Sequence, residues 1–345
     1  MSSNALYYPY IRVPENPWFT RVLLYWDRVG AIVPYDYLEN PEHLGPYMLS
    51  LVRENLVEQV VPGMHLWRVK NFTESFLDYA DAKYGKGNEP YFSNWAAVHA
   101  QKLGGASIHM EKLHDLAERL CERGLAQRNA DNPYSPWLKL EPRIADDFMA
   151  YLAGVLGQIA GDDSFSPITN RRNHLDPFIG THQQHSGNTK LKIREILLES
   201  ILPAPSESLD VLQLLDFKHK YQEPLHRFRR EIEERISELA VISDEELQGM
   251  RLNDITGCFR ETIDEIVARM QEQRDWPQLD FGTLCTVAGS GMSAWKAVID
   301  QDWKFGVTGA ALSLAPAVYT AFRGSKVDLT DKPLAYAALS RTQFQ

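Results

Sequence analysis

The chain has 345 residues, of which 44% are hydrophobic and 24% are charged, and its formal net charge at pH 7 is -10. These values are typical of globular proteins, and the length is enough for two domains because one core rarely exceeds about 250 to 300 residues. An acidic chain repels phosphate backbones, so the composition argues against bulk binding of nucleic acid. Cys121, Cys258 and Cys285 are far apart and form no CxxC pair, which favours a reducing cytoplasm over a disulfide-linked secreted fold.

The first 37 residues hold nine of the chain's aromatic side chains. LYYPYI is typical of a strand, and the Asn16–Pro17 pair then provides an N-cap and a first-turn proline. Apolar residues follow at helical spacing: Phe19, Val22, Leu23 and Trp26. Gly30 is predicted to end this helix, and AIVP to form a second, parallel strand. We therefore expect a βαβ unit in which most of the aromatic residues are core.

Further elements are predicted along the first half of the chain. HLWRV is interpreted as a third strand, and residues 73–84 as a helix. A second amphipathic helix covers 111–124, WLKLEP reads as a strand, and Pro142 begins a helix that runs to about residue 160. The helix at 111–124 followed by WLKLEP resembles the recognition helix and wing of a winged-helix module. Acidic residues dilute the basic ones there, which argues against DNA binding by this segment.

The fold prediction is an α/β N-terminal domain of βαβ units with a parallel or mixed sheet, followed by an all-helical C-terminal domain. Residues 1–160 form the α/β domain, 161–190 a long polar loop or linker, and 191–345 the helical domain. Between residues 281 and 323, 20 of 43 positions are Gly, Ala, Ser or Thr, which predicts a tightly packed C-terminal helix pair.

Membrane association is not expected in the resting protein. The N-terminus has no basic segment followed by an apolar one, as a secretory signal would. The longest uncharged apolar run, residues 306–322, has 17 residues, whereas a transmembrane helix needs about 20. Residues 281–323 are therefore expected to reach a membrane only after a conformational change.

Candidate catalytic residues follow the two predicted parallel strands. Ligands of open α/β sheets bind beyond the carboxyl ends of the strands, where Arg12 and Asp36 are expected. Arg12 could hold a carboxylate or phosphate and Asp36 could act as a base; an ordinary Arg–Asp surface pair is the alternative. Asp27 is placed in the last turn of the helix, where the dipole disfavours a carboxylate. A structural ion pair or a hydrogen bond to a neighbouring loop would explain it, and a catalytic role stays open.

The central loop contains the candidate ligands for a metal site: His174, Asp176, His182 and His185. Neutral imidazoles and a carboxylate are plausible metal ligands, and His182 and His185 have HxxH spacing. A solvated loop is the alternative, because ligand sets are usually held on rigid elements. No cofactor-binding motif is assigned, and the cofactor is unknown.

Four segments together resemble a known family: YYPYI, LLYWDRVGAIVP, LHRFRREIEE and ALSLAPAVYTAF. They are similar to an uncharacterised bacterial family, a domain of unknown function with an N-terminal aromatic strand and a YWD motif. The resemblance implies a bacterial protein, and a mobile-element or anti-phage defence locus as its setting. It supplies no catalytic residues.

Two functions are predicted. The first is a protein-interaction or regulatory component that binds a protein partner or associates with itself through its long helices and the central loop. The alternative is a hydrolase-type enzyme that acts on a phosphate- or carboxylate-bearing small molecule at the sheet edge, using Arg12, Asp36 and histidines of the loop.

Overall fold

A computed structural model of the protein describes residues 4–84, 106–113, 115–129, 132, 134–160, 164–170, 184–205, 210–274 and 333–344. The chain divides into two compact units: unit 1 contains residues 1–15 and 26–191, and unit 2 contains residues 16–25 and 192–345. The strands are β1 (Asn4–Tyr7), β2 (Arg28–Ile32), β3 (Val57–Val60), β4 (Ala106–His109), β5 (Ala126–Arg128), β6 (Trp137–Leu140) and β7 (Phe165–Ile168). The helices are α1 (Pro17–Tyr25), α2 (Asp36–Glu39), α3 (Pro46–Arg53), α4 (Phe72–Tyr84), α5 (Met110–Leu113), α6 (Leu116–Glu122), α7 (Pro142–Ile159), α8 (Gln184–Ile201), α9 (Val211–Lys220), α10 (Gln222–Ala240), α11 (Glu245–Arg274) and α12 (Ala335–Phe344).

A four-stranded parallel sheet of order β3-β2-β1-β7 forms one part of unit 1. The central strand β1 is buried along its whole length, and β2 is buried from its second residue onward. Continuous burial of this kind is typical of parallel strands covered on both faces. The predicted parallel pairing of the first two strands is confirmed, and so is the α/β class of the N-terminal region.

A second, three-stranded antiparallel sheet of order β4-β6-β5 lies in the same unit. Its strands and the helices α5, α6 and α7 contribute to the same apolar core as the parallel sheet. That core includes Leu6, Ile32, Val60, Leu120, Leu138, Leu140, Phe148 and Leu152. The two sheets of unit 1 are therefore parts of one packed body.

Unit 2 is helical in its described part. Helix α10 buries an apolar stripe with helical spacing: Leu225, Phe228, Ile232, Ile236 and Leu239. Helix α12 packs against α10 and α11, and the Tyr336 hydroxyl donates a hydrogen bond of 2.7 Å to the Leu24 carbonyl of α1. Helix α1 thus belongs to unit 2, although it connects two strands of unit 1 along the chain.

Helix α1 begins as predicted and ends earlier. The Asn16 side chain accepts a hydrogen bond of 3.0 Å from the Phe19 amide, as an N-cap does. The helix stops at Tyr25, and Gly30 lies within β2. A Cβ at Gly30 would lie 2.8 Å from Leu6 Cδ1, so close packing between strands explains this glycine. The prediction that Gly30 ends the helix is wrong.

Two strand assignments also differ from the prediction. The third strand is β3, whereas Leu66–Arg68 of HLWRV forms a short 3-10 helix. Pro62 and Gly63 start a tight turn just before it, and the chain continues from this turn into the 3-10 helix instead of a strand. Residues 165–168, within the segment predicted as a loop, form β7 at the edge of the parallel sheet. The predicted helix pair at 281–323 lies outside the described residues.

Candidate functional site

The carboxyl ends of β1, β2 and β3 lie at one edge of the parallel sheet, and the loops that follow them carry exposed side chains. A cavity of about 230 Å³ lies at this edge, lined by Tyr35, Val61, Gly63, Met64 and Glu111. Tyr35 follows β2, and Val61, Gly63 and Met64 follow β3. Glu111 comes from α5, which packs against the 3-10 helix Pro62–Met64. The cavity lies outside the carboxyl ends of the strands, as ligand sites of open α/β sheets do, but it lies beside β2 and β3 and not between β1 and β7, where the strand order reverses.

Glu111 connects the two sheets of unit 1 at the cavity. Its Oε2 accepts a hydrogen bond of 2.6 Å from the Tyr35 backbone amide. Oε2 also lies 3.8 Å from Nδ1 of His109, the last residue of β4. The His109 ring packs edge-on against Trp137 with 5.2 Å between ring centroids. The carboxylate is 44% exposed and therefore remains open to a ligand.

The electrostatics of α5 and β4 are set by burial. Desolvation lowers the pKa of His109, and Lys112 lowers it further, while Glu111 and Asp36 act in the opposite direction. The imidazole is therefore neutral near pH 7 and does not compensate the charge of Glu111. Lys112 is 3% exposed, and burial lowers the pKa of its ammonium group to about 7.

Arg12 and Asp36, the predicted catalytic pair, both contact His43. Arg12 contacts its backbone carbonyl, and Asp36 contacts its imidazole. The Arg12 guanidinium donates to the His43 carbonyl from Nε at 3.0 Å and from Nη2 at 2.6 Å. Asp36 Oδ2 lies 3.3 Å from His43 Nδ1, and Oδ1 accepts a hydrogen bond of 2.8 Å from Asn40. Both side chains thus hold the loop after β2, and neither lines the cavity described above.

Asp27 lies at the other edge of the sheet. It stands between the end of α1 and the start of β2, outside any helix, so the predicted conflict with the helix dipole does not arise. Because β2 runs from Arg28 toward Ile32, Asp27 precedes its amino end whereas Asp36 follows its carboxyl end. The structure does not bring Asp27 together with the other two candidates.

Most of the candidate metal ligands fall on residues that are not described: His174, Asp176 and His182 lie outside the described ranges. His185 lies in the first turn of α8. Within the part of the chain that the structure describes, no three His, Cys, Asp or Glu side chains are grouped so that they could hold a metal ion.

The segment from β4 to β6 contains the helix and strand that resemble a winged-helix module in the sequence. Helices α5 and α6 follow β4, and the sheet order β4-β6-β5 places the last strand in the middle, as in a winged helix. Arginines there lie beside carboxylates: Arg119–Glu122 at 4.0 Å, Arg123–Asp81 at 3.5 Å and Arg128–Glu118 at 3.5 Å. Carboxylates at these positions oppose the approach of phosphates, so this surface is poorly suited to DNA.

The sequence gives little signal for Glu111 as a site residue. It lies in an amphipathic helix among other charged residues, and 76 positions separate it from Tyr35. A histidine and a glutamate two residues apart at the end of a strand are the only local hint. Their place at the parallel sheet follows from the packing of α5 on the turn after β3.

Comparisons with protein-family models, with curated proteins and with solved structures give no match for this chain. The site must therefore be interpreted from its own chemistry. None of the described helices is both long and apolar enough to cross a membrane.

Proposed function

We propose that this protein is an interaction component, of a regulatory kind, that binds a partner protein through the carboxyl edge of its parallel sheet. One observation carries the proposal: a set of exposed large side chains, here called the edge patch, made of Tyr35, Met64 and Trp67. Their exposed fractions are 47%, 55% and 73%. Tyr35 and Met64 line the same cavity, and Trp67 Nε1 donates a hydrogen bond of 3.0 Å to the Met64 carbonyl. The patch is therefore continuous.

Exposed tryptophan and tyrosine at one site favour protein binding. Side chains of this size gain free energy when they leave water, and a cluster of them on a surface typically marks an interaction site. Tryptophan and tyrosine are also the residues most enriched among those that contribute strongly to binding energy. Trp67 is held in place by its bond to Met64, so it loses little side-chain entropy on binding.

The contacts of Arg12 and Asp36, the predicted catalytic pair, support binding over catalysis. Arg12 and Asp36 both hold His43, so their charges maintain the loop shape. A catalytic acid or base has to reach a reacting group in a cavity. Here the two charged side chains make contacts within the loop after β2, whereas the side chains of the edge patch are exposed to solvent. The bacterial mobile-element or phage-defence setting that the family resemblance implies is part of the same proposal, since such systems work through assemblies of several proteins.

Site-specific photocrosslinking in the cell that produces the protein tests the proposal. A photoreactive phenylalanine analogue replaces Trp67 in one variant and Arg28, at the amino end of β2, in the control. We expect a discrete adduct from position 67 and none from position 28. The partner, identified by mass spectrometry and purified, should bind the unlabelled protein, and Trp67→Ser should weaken its affinity at least about tenfold.

Equal adducts from both positions, or an unchanged affinity for Trp67→Ser, would overturn the proposal. Self-association is the other predicted mode, and it would appear as an adduct with a second copy of the chain. Sedimentation velocity of Trp67→Ser would then show a lower association constant than that of the parent protein.

An enzyme acting on a small phosphate- or carboxylate-bearing molecule is the second candidate. The cavity at the carboxyl edge favours it, because this is where such folds place substrates. Gly63→Leu tests it, since a Cβ at Gly63 meets no heavy atom within 4 Å and a larger side chain at this lining position can occupy the cavity. A nucleotide or sugar phosphate that raises the melting temperature of the parent protein but not of Gly63→Leu would support the enzyme over the interaction component.

A further inference from the structure

We infer that the cavity at the sheet edge receives an arginine side chain of the partner protein, with its guanidinium on Glu111. This inference rests on the proposed function and gives the chemistry of the partner. Three properties of the cavity lead to it: its size, the character of its walls and the charge of Glu111.

Size comes first. A volume of about 230 Å³ lies below the range of about 300 to 1,000 Å³ that is usual for small-molecule sites. One long side chain fits such a space better than a nucleotide does. Gly63 is one of the lining residues, and a Cβ added there would meet no heavy atom within 4 Å, so the cavity has open space at this position.

The walls suit a side chain with an aliphatic stem. Val61 is buried at 3% exposure, and Met64 extends the apolar surface outward. Arginine and lysine bury their methylene groups on such a surface while the charged end stays near solvent. Tyr35 also lines the cavity, and a planar guanidinium packs well on an aromatic ring.

Glu111 provides the charge that selects a cation. Its Oε2 accepts the Tyr35 amide at 2.6 Å, which fixes the carboxylate, and the remaining lone pairs of both oxygens can accept further hydrogen bonds. His109 Nδ1 lies 3.8 Å from this carboxylate, and burial lowers the pKa of the imidazole, which is therefore neutral near pH 7. Glu111 therefore keeps its negative charge for a ligand.

Arginine fits this arrangement better than lysine. A guanidinium offers a planar set of five donors that matches a fixed carboxylate, whereas an ammonium is a strongly hydrated point charge. The net charge of -10 adds a long-range attraction for a basic partner.

An NMR titration tests the inference with three probes: acetyl-arginine amide, acetyl-lysine amide and acetyl-glutamine amide. We expect the arginine probe to shift the amide signals of Gly63 and Tyr35 with a millimolar dissociation constant, lysine to bind more weakly and glutamine not at all. Glu111→Gln should weaken arginine binding about tenfold, because a charged hydrogen bond is lost while the acceptor for Tyr35 remains. Gly63→Leu should abolish it by filling the cavity.

Matched controls separate a specific site from general attraction to an acidic surface. Glu118→Gln removes a carboxylate that is 78% exposed on α6, and Gly249→Leu adds the same side chain where a Cβ also meets no heavy atom within 4 Å. Neither should change arginine binding. Circular dichroism and the unfolding midpoint of each variant confirm that it is folded.

Several outcomes would overturn the arginine assignment: equal binding of the glutamine probe, tighter binding of lysine, or an unchanged affinity in Glu111→Gln. The crosslinking experiment at Trp67 does not depend on arginine. A partner adduct at Trp67 without arginine binding would reject this inference and leave the proposed function intact. If neither the adduct nor arginine binding is observed, both the inference and the proposed function are rejected.

Discussion

The Tyr35 backbone amide donates a hydrogen bond of 2.6 Å to Oε2 of Glu111, 76 residues further along the chain. This contact joins the loop after β2 to helix α5. We expect Glu111→Ala to lower the free energy of unfolding by about 1 kcal/mol, because a hydrogen bond to a charged group is lost at a half-exposed site. Amide hydrogen exchange at Tyr35 should become faster in this variant and remain nearly unchanged in Glu111→Gln, which keeps an acceptor. Unchanged exchange in Glu111→Ala would contradict the contact.

Lys112 makes stability depend on pH. Burial lowers the pKa of its ammonium group from 10.5 to about 7 in the folded protein, so between these pH values the unfolded chain binds more protons than the folded one. The free energy of unfolding contributed by this group therefore rises from about pH 7 to about pH 10.5, and below pH 7 the destabilisation is complete. Lys112→Met should remove this slope and stabilise the protein at pH 7 by about 2 kcal/mol or more.

Urea unfolding of Lys112→Met and its parent at pH 6.5, 8 and 9.5 measures the effect as a difference between the two proteins. Lys139→Met, at an exposed position of β6, is the control and should follow the parent at each pH. A constant difference between Lys112→Met and the parent across this range would show that Lys112 titrates normally.

Asp147 binds three donors from α4 with one oxygen. Its Oδ2 accepts hydrogen bonds from Tyr79 at 2.9 Å, from Lys83 at 2.8 Å and from Tyr84. Asp147→Ala should lower the free energy of unfolding by about 2 kcal/mol, because it leaves partly buried donors without this acceptor. Asp78→Ala, an exposed change on α4, should have an effect below about 0.5 kcal/mol.

The tyrosine absorbance of Asp147→Ala provides a second measurement. Burial raises the pKa of Tyr84, and the hydrogen bond and charge of Asp147 raise it further. Removal of the carboxylate should therefore bring the ionisation of Tyr84 to lower pH, seen as an earlier rise in absorbance on alkaline titration. No change in the titration would exclude the contact with Tyr84.

Arg194 and Glu233 form a two-point ion pair within unit 2, with distances of 2.6 and 2.7 Å, and both side chains are at most 15% exposed. Removal of one partner from a buried pair leaves the other charge uncompensated, so Arg194→Met should cost about 3 kcal/mol. The double variant Arg194→Met/Glu233→Leu should recover part of this loss. A double-mutant cycle by chemical unfolding measures the coupling.

The control for this cycle is the more exposed pair of Arg227 and Glu223, whose side chains are 4.0 Å apart and 30% and 74% exposed. Its coupling should be below about 1 kcal/mol. Equal coupling free energies in the two pairs would mean that burial does not strengthen the interaction of Arg194 with Glu233.

Gly30 and Gly154 offer a matched pair of glycine substitutions. Gly30→Ala would place a Cβ 2.8 Å from Leu6 and 3.0 Å from Val60, so it should destabilise unit 1 by about 1 to 3 kcal/mol. Gly154→Ala, within α7 and with no heavy atom within 4 Å of the added carbon, should stabilise it by about 0.5 to 1 kcal/mol. Thermal unfolding of the two variants should shift in opposite directions, and a neutral Gly30→Ala would contradict the close approach of the strands.

Local features of the fold could be predicted from the sequence because their causes are local. Asn16 caps α1 and Pro142 begins α7, since a cap needs only an oxygen near the first amides and proline needs only the first turn. The buried stripe of α10 follows from the 3.6-residue period. The parallel pairing of β1 with β2 follows from the helix between them, because parallel strands need a long crossover.

The sequence also predicts that most aromatic residues of the N-terminal segment are core residues. Two of them are exposed, and one of these two belongs to the edge patch. Tyr7, Tyr8, Phe19, Tyr25 and Trp26 are core residues, each at most 6% exposed. Tyr10 and Tyr35 lie in the loops after β1 and β2 and are 46% and 47% exposed. Composition alone does not separate these two groups, because burial of a loop residue depends on what packs over the end of the strand.

By itself, the sequence determined the start and cap of α1, the start of α7, the buried stripe of α10, the parallel pairing of β1 with β2 and the edge of the sheet at which ligands are expected. Only the tertiary structure decided that α1 belongs to unit 2, that 165–168 forms a fourth parallel strand and that Glu111 lies beside Tyr35. Periodicity and capping depend on residues within a few positions of one another. The pairing of segments tens of residues apart depends on how their apolar surfaces fit together, which no local pattern records.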